Sequence, residues 1–407
     1  MYSRIAAVLL VLQTLCAAEE AAPEITLGDP VVVAQAPADL RQWGPYQFPR
    51  LELVSDKSIH LEYHIEADSA TAYGKPVGHA VSEDGGATWK LLKEYQWMGG
   101  LKLSNGDRLL FKQQKSIPLD KVKLPAPLET VKGTYNVTYT YYRDQDMPQE
   151  LWGSTFLRWP KGAQGWKEEL AKVNFPGKLR CATEGVFTFP ILYQDRMHVA
   201  PDGSILAAIY ESRMVDGKVD PKWRVMFLRS ADQGKTWSLH GEIPFQPDKQ
   251  TDPSWSKREG FMEPDFCFLP DGSLMCLIRG MDGSGQGPMY ESFSKDGGKN
   301  WSVPKVFDDL GVWPSLLSSR NGATLSAYGR PGVFVRASSA PSGGKWGPRV
   351  EVVKAMGIGQ DSCSYTSLIA LSDDTALLAY SNFNVPDDKG KPRKTILVRK
   401  VTVRIKK

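Results

Sequence analysis

Glu263 and Arg279 stand at the two ends of one hairpin. Between them run Phe266-Cys-Phe-Leu-Pro-Asp-Gly-Ser-Leu-Met-Cys-Leu-Ile278, two apolar stretches joined by a Pro-Asp-Gly turn. That is a hairpin signal with a mechanism, since Pro presets φ, Asp folds onto the turn backbone and Gly supplies φ > 0. A hairpin brings the chain back on itself, so this carboxylate and this guanidinium can emerge at one end of the strand pair. A lone Arg at a strand end would be a surface residue; the partnered spacing favours a site. Tyr365 lies in Ser362-Cys-Ser-Tyr-Thr-Ser-Leu368, ahead of the strand-like run 375–380. A Tyr is a nucleophile only when a neighbouring base takes its proton; otherwise it reads as a core or rim residue of a strand. His64, Glu66 and Asp68 crowd the loop after the first hairpin, and any of the three could exchange a proton there. The cysteines offer no such chemistry. Cys181, Cys267, Cys276 and Cys363 match no zinc spacing. Cys267 and Cys276 flank one turn and read either as a disulfide or as buried thiols. No metal or organic cofactor is implied.

A repeated element positions these residues. Residues 82–89 (SEDGGATW), 230–237 (SADQGKTW) and 294–301 (SKDGGKNW) all read Ser-x-Asp-x-Gly-x-(Thr/Asn)-Trp. A pattern strict at a few positions and loose elsewhere marks one supersecondary unit used several times. Degenerate copies at 158–166 and 339–346 keep glycines and the anchoring Trp, and the Trp anchors fall roughly 45 to 80 residues apart. The pattern resembles the Asp-box of sialidases and related β-propellers. The resemblance implies an all-β chain, a six-bladed β-propeller of four-stranded antiparallel blades, with the boxes away from the binding face. Gly, Pro and aromatics are plentiful and long helical patterns are absent, which suits short strands and turns. The last set of strands (365–370, 375–380 and 395–405) offers three where a blade needs four. Residues 30–35 (PVVVAQ) are the candidate fourth, pairing the two chain ends and hiding two edges. The Tyr-rich segment 118–153 reads as strand, either in an ordinary blade or as a substrate-contacting insertion.

Sialidases share a clamp of three arginines for the substrate carboxylate, a Tyr nucleophile paired with a Glu, and an Asp acid/base. Residues 263–279 resemble the segment in which Glu begins one strand and Arg ends its partner. Residues 362–368 resemble the nucleophile segment. The resemblance thus implies Tyr365 as nucleophile, Glu263 as its base, and Arg279 as one clamp residue. Arg330, just before a strand, matches the third arginine, and Arg336 reads as solvent-facing. Asp68 matches the acid/base by blade position, with Glu66 and His64 as alternatives. One position departs from the family. Where sialidases carry an Arg two residues before a Pro, this chain reads Tyr46-Gln-Phe-Pro49, so Gln47 stands for the first clamp arginine. An amide brings no charge and loses the bidentate fork, which places sialic acid itself in question.

The N-terminus has a positive start, the apolar run 5–12 and small residues before Glu19, the form of a secretory signal peptide over residues 1–18. Lipidation of Cys16 is disfavoured because Gln13, Thr14 and Leu15 lack the usual adjacent small residue. Residues 19–407 then form one domain, secreted or periplasmic, with no membrane span. A formal charge of +4 with scattered Lys and Arg offers no stripe for nucleic acid. The expected function is a retaining exo-glycosidase acting on a terminal, acidic sugar of an extracellular glycan. Its alternatives are a non-catalytic carbohydrate-binding propeller and a uronate polysaccharide lyase using Tyr365 or His64.

Overall fold

The computed structural model describes residues 22–405, apart from 56, 69–74, 95–98, 113, 115–116, 134–136, 184–185, 188–191, 282 and 284. The expected signal peptide and Cys16 lie outside the described residues. The chain is all-β, with only short 3-10 turns besides strands among the described residues.

Six antiparallel groups follow one another along the chain. The first joins Gln47–Leu53, Ile59–His64, Val77–Ser82 and Lys90–Leu92. The second joins Leu101–Lys102, Arg108–Phe111, Ser154–Trp159 and Lys167–Val173. The third joins Met197–Val199, Ile205–Val215, Lys218–Ser230 and Thr236–Ile243. The fourth runs from Gly260–Phe268 through Leu274–Met281 and Met289–Ser294 to Lys305–Asp308. The fifth runs from Val312–Ser318 through Thr324–Gly329 and Val333–Ser338 to Val350–Val353. Groups two, three and four merge into one sheet through short parallel pairings, Lys172–Val173 with Thr236–Trp237 and Trp223 with Gly260.

The sixth group holds Ser367–Ala370, Thr375–Pro386 and Pro392–Arg404, and the N-terminal segment completes it. Val31 pairs with Val398 and Val32 with Leu397, as the three-strand shortfall suggests. A second N-terminal strand, Glu24–Leu27, pairs with residues 401–404 beyond it. Both strands lie on one long partner, so the chain ends cover each other's unpaired backbone groups.

The three full boxes repeat one hydrogen-bond network. Asp84 Oδ1 accepts from the backbone N–H of Ala87 and Thr88, and its Oδ2 from the Thr88 hydroxyl. Asp232 does the same with Thr236, and Asp296 with Lys299 and Asn300. Each Trp indole donates to the carbonyl of its box glycine, Gly86, Gly234 or Gly298. The box is also a joint between groups. Trp237 stacks on Phe156 of the second group and Trp301 on Phe227 of the third, at 12° and 14° between planes. A Cβ on Gly234 would lie 2.5 Å from Leu109, and one on Gly86 2.9 Å from Leu377 of the sixth group. The first group therefore packs on the last. Only Trp237 is fully buried; Trp89 and Trp301 are half-buried, because each indole caps the outer edge of its neighbour's core.

Two open questions resolve. Cys267 and Cys276 are free, buried thiols. The turn sets Cys267 opposite Met275 and Cys276 opposite Phe266, one register step apart, so the sulfurs enter different cores. The Tyr-rich segment is neither an ordinary blade nor a loop. Glu129–Lys132 pairs with Thr138–Arg143, which pairs in turn with Leu179–Thr183, and with Val186–Phe187 and Ile117–Pro118 they form a separate five-stranded sheet.

Candidate active site

One backbone device recurs in the first, fourth and fifth groups. Opposite Tyr63 the first strand carries two residues, Phe48 and Pro49, between the pairs Gln47–His64 and Arg50–Glu62. Glu263 and Pro264 face Ile278 in the same way, between Met262–Arg279 and Asp265–Leu277. Trp313 and Pro314 face Tyr328, between Val312–Gly329 and Ser315–Ala327. Each is a β-bulge with Pro in the unpaired place, where its missing N–H costs no ladder bond. The residue before each Pro takes positive φ: 56° at Phe48, 49° at Glu263 and 36° at Trp313. Such angles in bulky residues are strained by about 1–3 kcal/mol each. Of the nine non-glycine residues with positive φ among those described, these three, Arg330 and Ser364 belong to this one locality, so the strain is concentrated rather than scattered.

The bulges aim their side chains at Tyr365. Its hydroxyl donates to Glu263 Oε1 at 2.5 Å. Arg279 Nη1 donates to the same oxygen at 2.8 Å, and the Trp313 N–H to Glu263 Oε2 at 2.9 Å. The Tyr365 ring stacks on Trp313 at 5.2 Å and meets the edge of Phe48 at 4.7 Å. Arg330 lies over Tyr365 at 5.4 Å and over Trp43 at 5.3 Å, and its Nη2 donates to the Cys363 carbonyl. Its Nε is buried with no hydrogen-bond partner among the described residues. Burial alone would raise the Glu263 carboxyl, but Arg279, the Tyr365 hydroxyl, Arg330 and the Trp313 N–H together hold it below the usual carboxylate range. Burial and the Glu263 charge push the Tyr365 phenol well above its ordinary value. The pair is therefore a carboxylate beside a neutral phenol, the arrangement a base and its nucleophile need before reaction.

Four of the sequence-derived residues, Glu263, Arg279, Arg330 and Tyr365, come together directly. Asp68 stands at their edge: it is exposed and accepts a 2.9 Å bond from the Trp43 indole, whose ring lies under Arg330. Its approach depends on a glycine, for a Cβ at Gly44, which sits at φ +113°, would lie 2.5 Å from the Asp68 nitrogen. His64 packs against Phe48 at 4.7 Å and occupies in the first group the register place that Arg279 holds in the fourth. Burial lowers its pKa. Gln47 is not joined to the group. Its side chain is fully buried, and neither amide atom has a hydrogen-bond partner among the described residues. Arg50 is held by Glu62 at 3.2 Å. Arg336, expected to face solvent, is only half-exposed, and donates to the Gly347 carbonyl.

Sequence reasoning missed the aromatic surround and Arg196. Tyr193 meets Trp313 at 5.2 Å and stacks with Tyr210, their hydroxyls 2.9 Å apart. Arg196 lies under Trp313 at 4.7 Å and bonds Asp265, Asp195 and the Pro314 carbonyl. X-Pro dipeptides stand in the sequence at all three bulge positions; nothing local marks Tyr193 or Tyr210.

The family model described as the BNR repeat-like domain matches residues 174–378. The chain belongs to this family. The match contains Glu263, Arg279, Arg330 and Tyr365, whereas Gln47, His64 and Asp68 precede it. Among solved structures, the chain is similar to a Dyadobacter fermentans protein of unknown function, 18% identical, covering 93% of this chain and 99% of that one at TM-score 0.63. It is also similar to a Hadza microbial sialidase, 13% identical, covering 90% of this chain and 68% of that one at TM-score 0.50. These likenesses bear on the fold alone. No curated protein matches the sequence. The family and the fold neighbours make the chain a BNR-repeat protein with the fold those structures share.

Proposed function

We propose that the chain is a retaining glycoside hydrolase acting on a terminal, acidic sugar of a glycan. The observation that carries the reading is the 2.5 Å contact of the Tyr365 hydroxyl with a Glu263 carboxylate that Arg279 also binds. Glu263 takes the phenol proton as Tyr365 attacks the anomeric carbon, and the glycosidic bond breaks to leave a glycosyl-tyrosine. Asp68 protonates the leaving oxygen, then draws a proton from the water that releases the sugar. A neutral phenol approaches a carboxylate-bearing carbon without the repulsion a carboxylate nucleophile would meet. The Arg330 Nε, buried with no partner among the described residues, supports a place for the sugar carboxylate. With Arg279 bound to Glu263 and an amide at Gln47, the clamp carries less positive charge than three free arginines would. Standard sialosides are therefore expected to be poor substrates.

We read the six antiparallel groups as six blades of a propeller forming one domain, with the site where the bulged first strands converge. The residue pattern at 1–18 supports export, with removal of that segment. The test is a panel of aryl glycosides of sialic acid, uronic acids and arabinofuranose. The wild-type protein should hydrolyse at least one and Tyr365→Phe none, with both folded by circular dichroism. Equal turnover by Tyr365→Phe would defeat the proposal. An unsaturated, ultraviolet-absorbing product from a uronate polymer would replace it with the lyase, and binding without turnover with the carbohydrate-binding module.

A further inference from the structure

From Tyr365 a row of rings leads out of the site. Trp313, Tyr193, Tyr210, Trp223 and Tyr139 follow, each 5.2 to 5.7 Å from the last. All six rings are half-buried, whereas Tyr141, Tyr290 and Tyr328, equally large, are sealed in cores. A soluble protein rarely leaves a continuous aromatic strip partly open without a ligand for it. Polar groups punctuate this one, in the paired hydroxyls of Tyr193 and Tyr210. Apolar faces with a few placed hydrogen-bonding groups are what sugar rings recognise, since a sugar presents C–H faces and a hydroxyl rim.

The row ends on the five-stranded sheet that stands apart from the six groups. Tyr139 lies on its Thr138–Arg143 strand and meets Trp223 of the third group. Three of its strands are inserted between Arg108–Phe111 and Ser154–Trp159 of the second group and the other two come from sequence after residue 178, so the sheet is tied down at two places in the chain. Its Tyr141 hydroxyl is bonded to Ser212 at 3.1 Å, fixing the face that carries Tyr139 against the third group. We propose that this strip is an extended glycan-binding track, in which Trp223 and Tyr139 seat sugars on the leaving-group side of the bond cleaved at Tyr365. The substrate is then an oligosaccharide rather than a small glycoside, and the added sheet lengthens its cleft. The inference rests on the reading of Tyr365 and Glu263 as the reacting pair.

The test is binding by titration calorimetry to Tyr365→Phe, with galacturonate oligomers and linear arabino-oligosaccharides of one to six sugars. Affinity should rise at least about tenfold with length in one series. Trp223→Ala, made in the same background, should remove the gain while leaving affinity for the shortest ligand unchanged; Trp223→Phe should restore it. Tyr139→Ala, on the separate sheet, should remove part of the gain even if Trp223→Ala fails to fold. Affinity flat with length in both series, or a gain that survives both alanine variants, overturns the track. Hydrolysis of a small aryl glycoside should be unaffected by either alanine change in the otherwise native protein, and equal losses there would also overturn it. Length-dependent binding by a protein that hydrolyses nothing would sink the hydrolase reading and leave the track standing.

Discussion

Glu263→Gln separates the structural weight of the carboxylate from its chemistry. The two oxygens accept three bonds, from Tyr365, Arg279 and the Trp313 N–H. A carboxamide of the same shape has one acceptor and one donor end. If its oxygen faces Arg279 and Tyr365, its NH₂ points at the Trp313 N–H. If it is flipped, the NH₂ points at the Arg279 guanidinium, which is 4% exposed and no longer faces a carboxylate at residue 263. Either way donors face donors beside a buried cation, and breaking a buried pair from one side costs about 3–5 kcal/mol. At about 2.1 cal/mol/K of unfolding entropy per residue, a chain of this size should melt about 4–6 °C lower. Tyr365→Phe removes one hydroxyl and its bond, about 0.5–1.5 kcal/mol or about 1–2 °C. Both variants should lose glycosidase turnover, Glu263→Gln by about 10²–10⁴ from the base alone. Calorimetric melting and steady-state rates, measured together, check this. A Glu263→Gln protein that melts within a degree of wild type would refute the argument that this carboxylate neutralises Arg279.

Alanine at the box glycines should destabilise in the order Gly234, Gly86, Gly298, because the added Cβ meets a neighbouring-group Leu at 2.5, 2.9 and 3.3 Å; denaturant midpoints give the order. All three also hold φ of 88–93°, so none should be neutral. Deleting residues 22–36 should lower the melting temperature sharply by baring the long last strand, and an unchanged value would exclude the end-to-end pairing as a stabilising contact. Burial, reinforced by Arg196, pushes His198 down to about 4. Its folded pKa lies below its unfolded one, so its contribution is complete above about pH 6.5 and fades as pH falls toward 4, reaching about 3 kcal/mol. His198→Gln should flatten the stability profile in that window; equal profiles for the two proteins would contradict it.

The boxes were legible because a tight turn admits few residues at few offsets, and Ser82, Asp84, Gly86 and Trp89 each answer to specific bonds or contacts. Pairing of Val31 with Val398 was legible from a missing strand. Glu263 and Arg279 were legible because a hairpin fixes their spacing, and Tyr365 only through family resemblance, as 102 residues separate it from Glu263. Tyr193 and Tyr210 left no trace, since ring packing across groups has no period in the chain. The separate sheet was hidden for a related reason: Thr138–Arg143 finds its partner at Leu179–Thr183, beyond two intervening strands. Gln47 could be named from its place before Pro49, but its sealed surroundings depend on how the first group packs.

The three proline bulges have a consequence for how such a site changes over time. One backbone shape presents a ring at Phe48, a carboxylate at Glu263 and an indole at Trp313. The shape is held by the Pro and by the pairs on either side, not by the presented side chain. Each bulge is in effect a socket accepting different fittings, so one codon can alter what faces the ligand while the strand frame stays as it was. A lineage could exchange substrates, or give up turnover and keep binding, without passing through an unfolded intermediate.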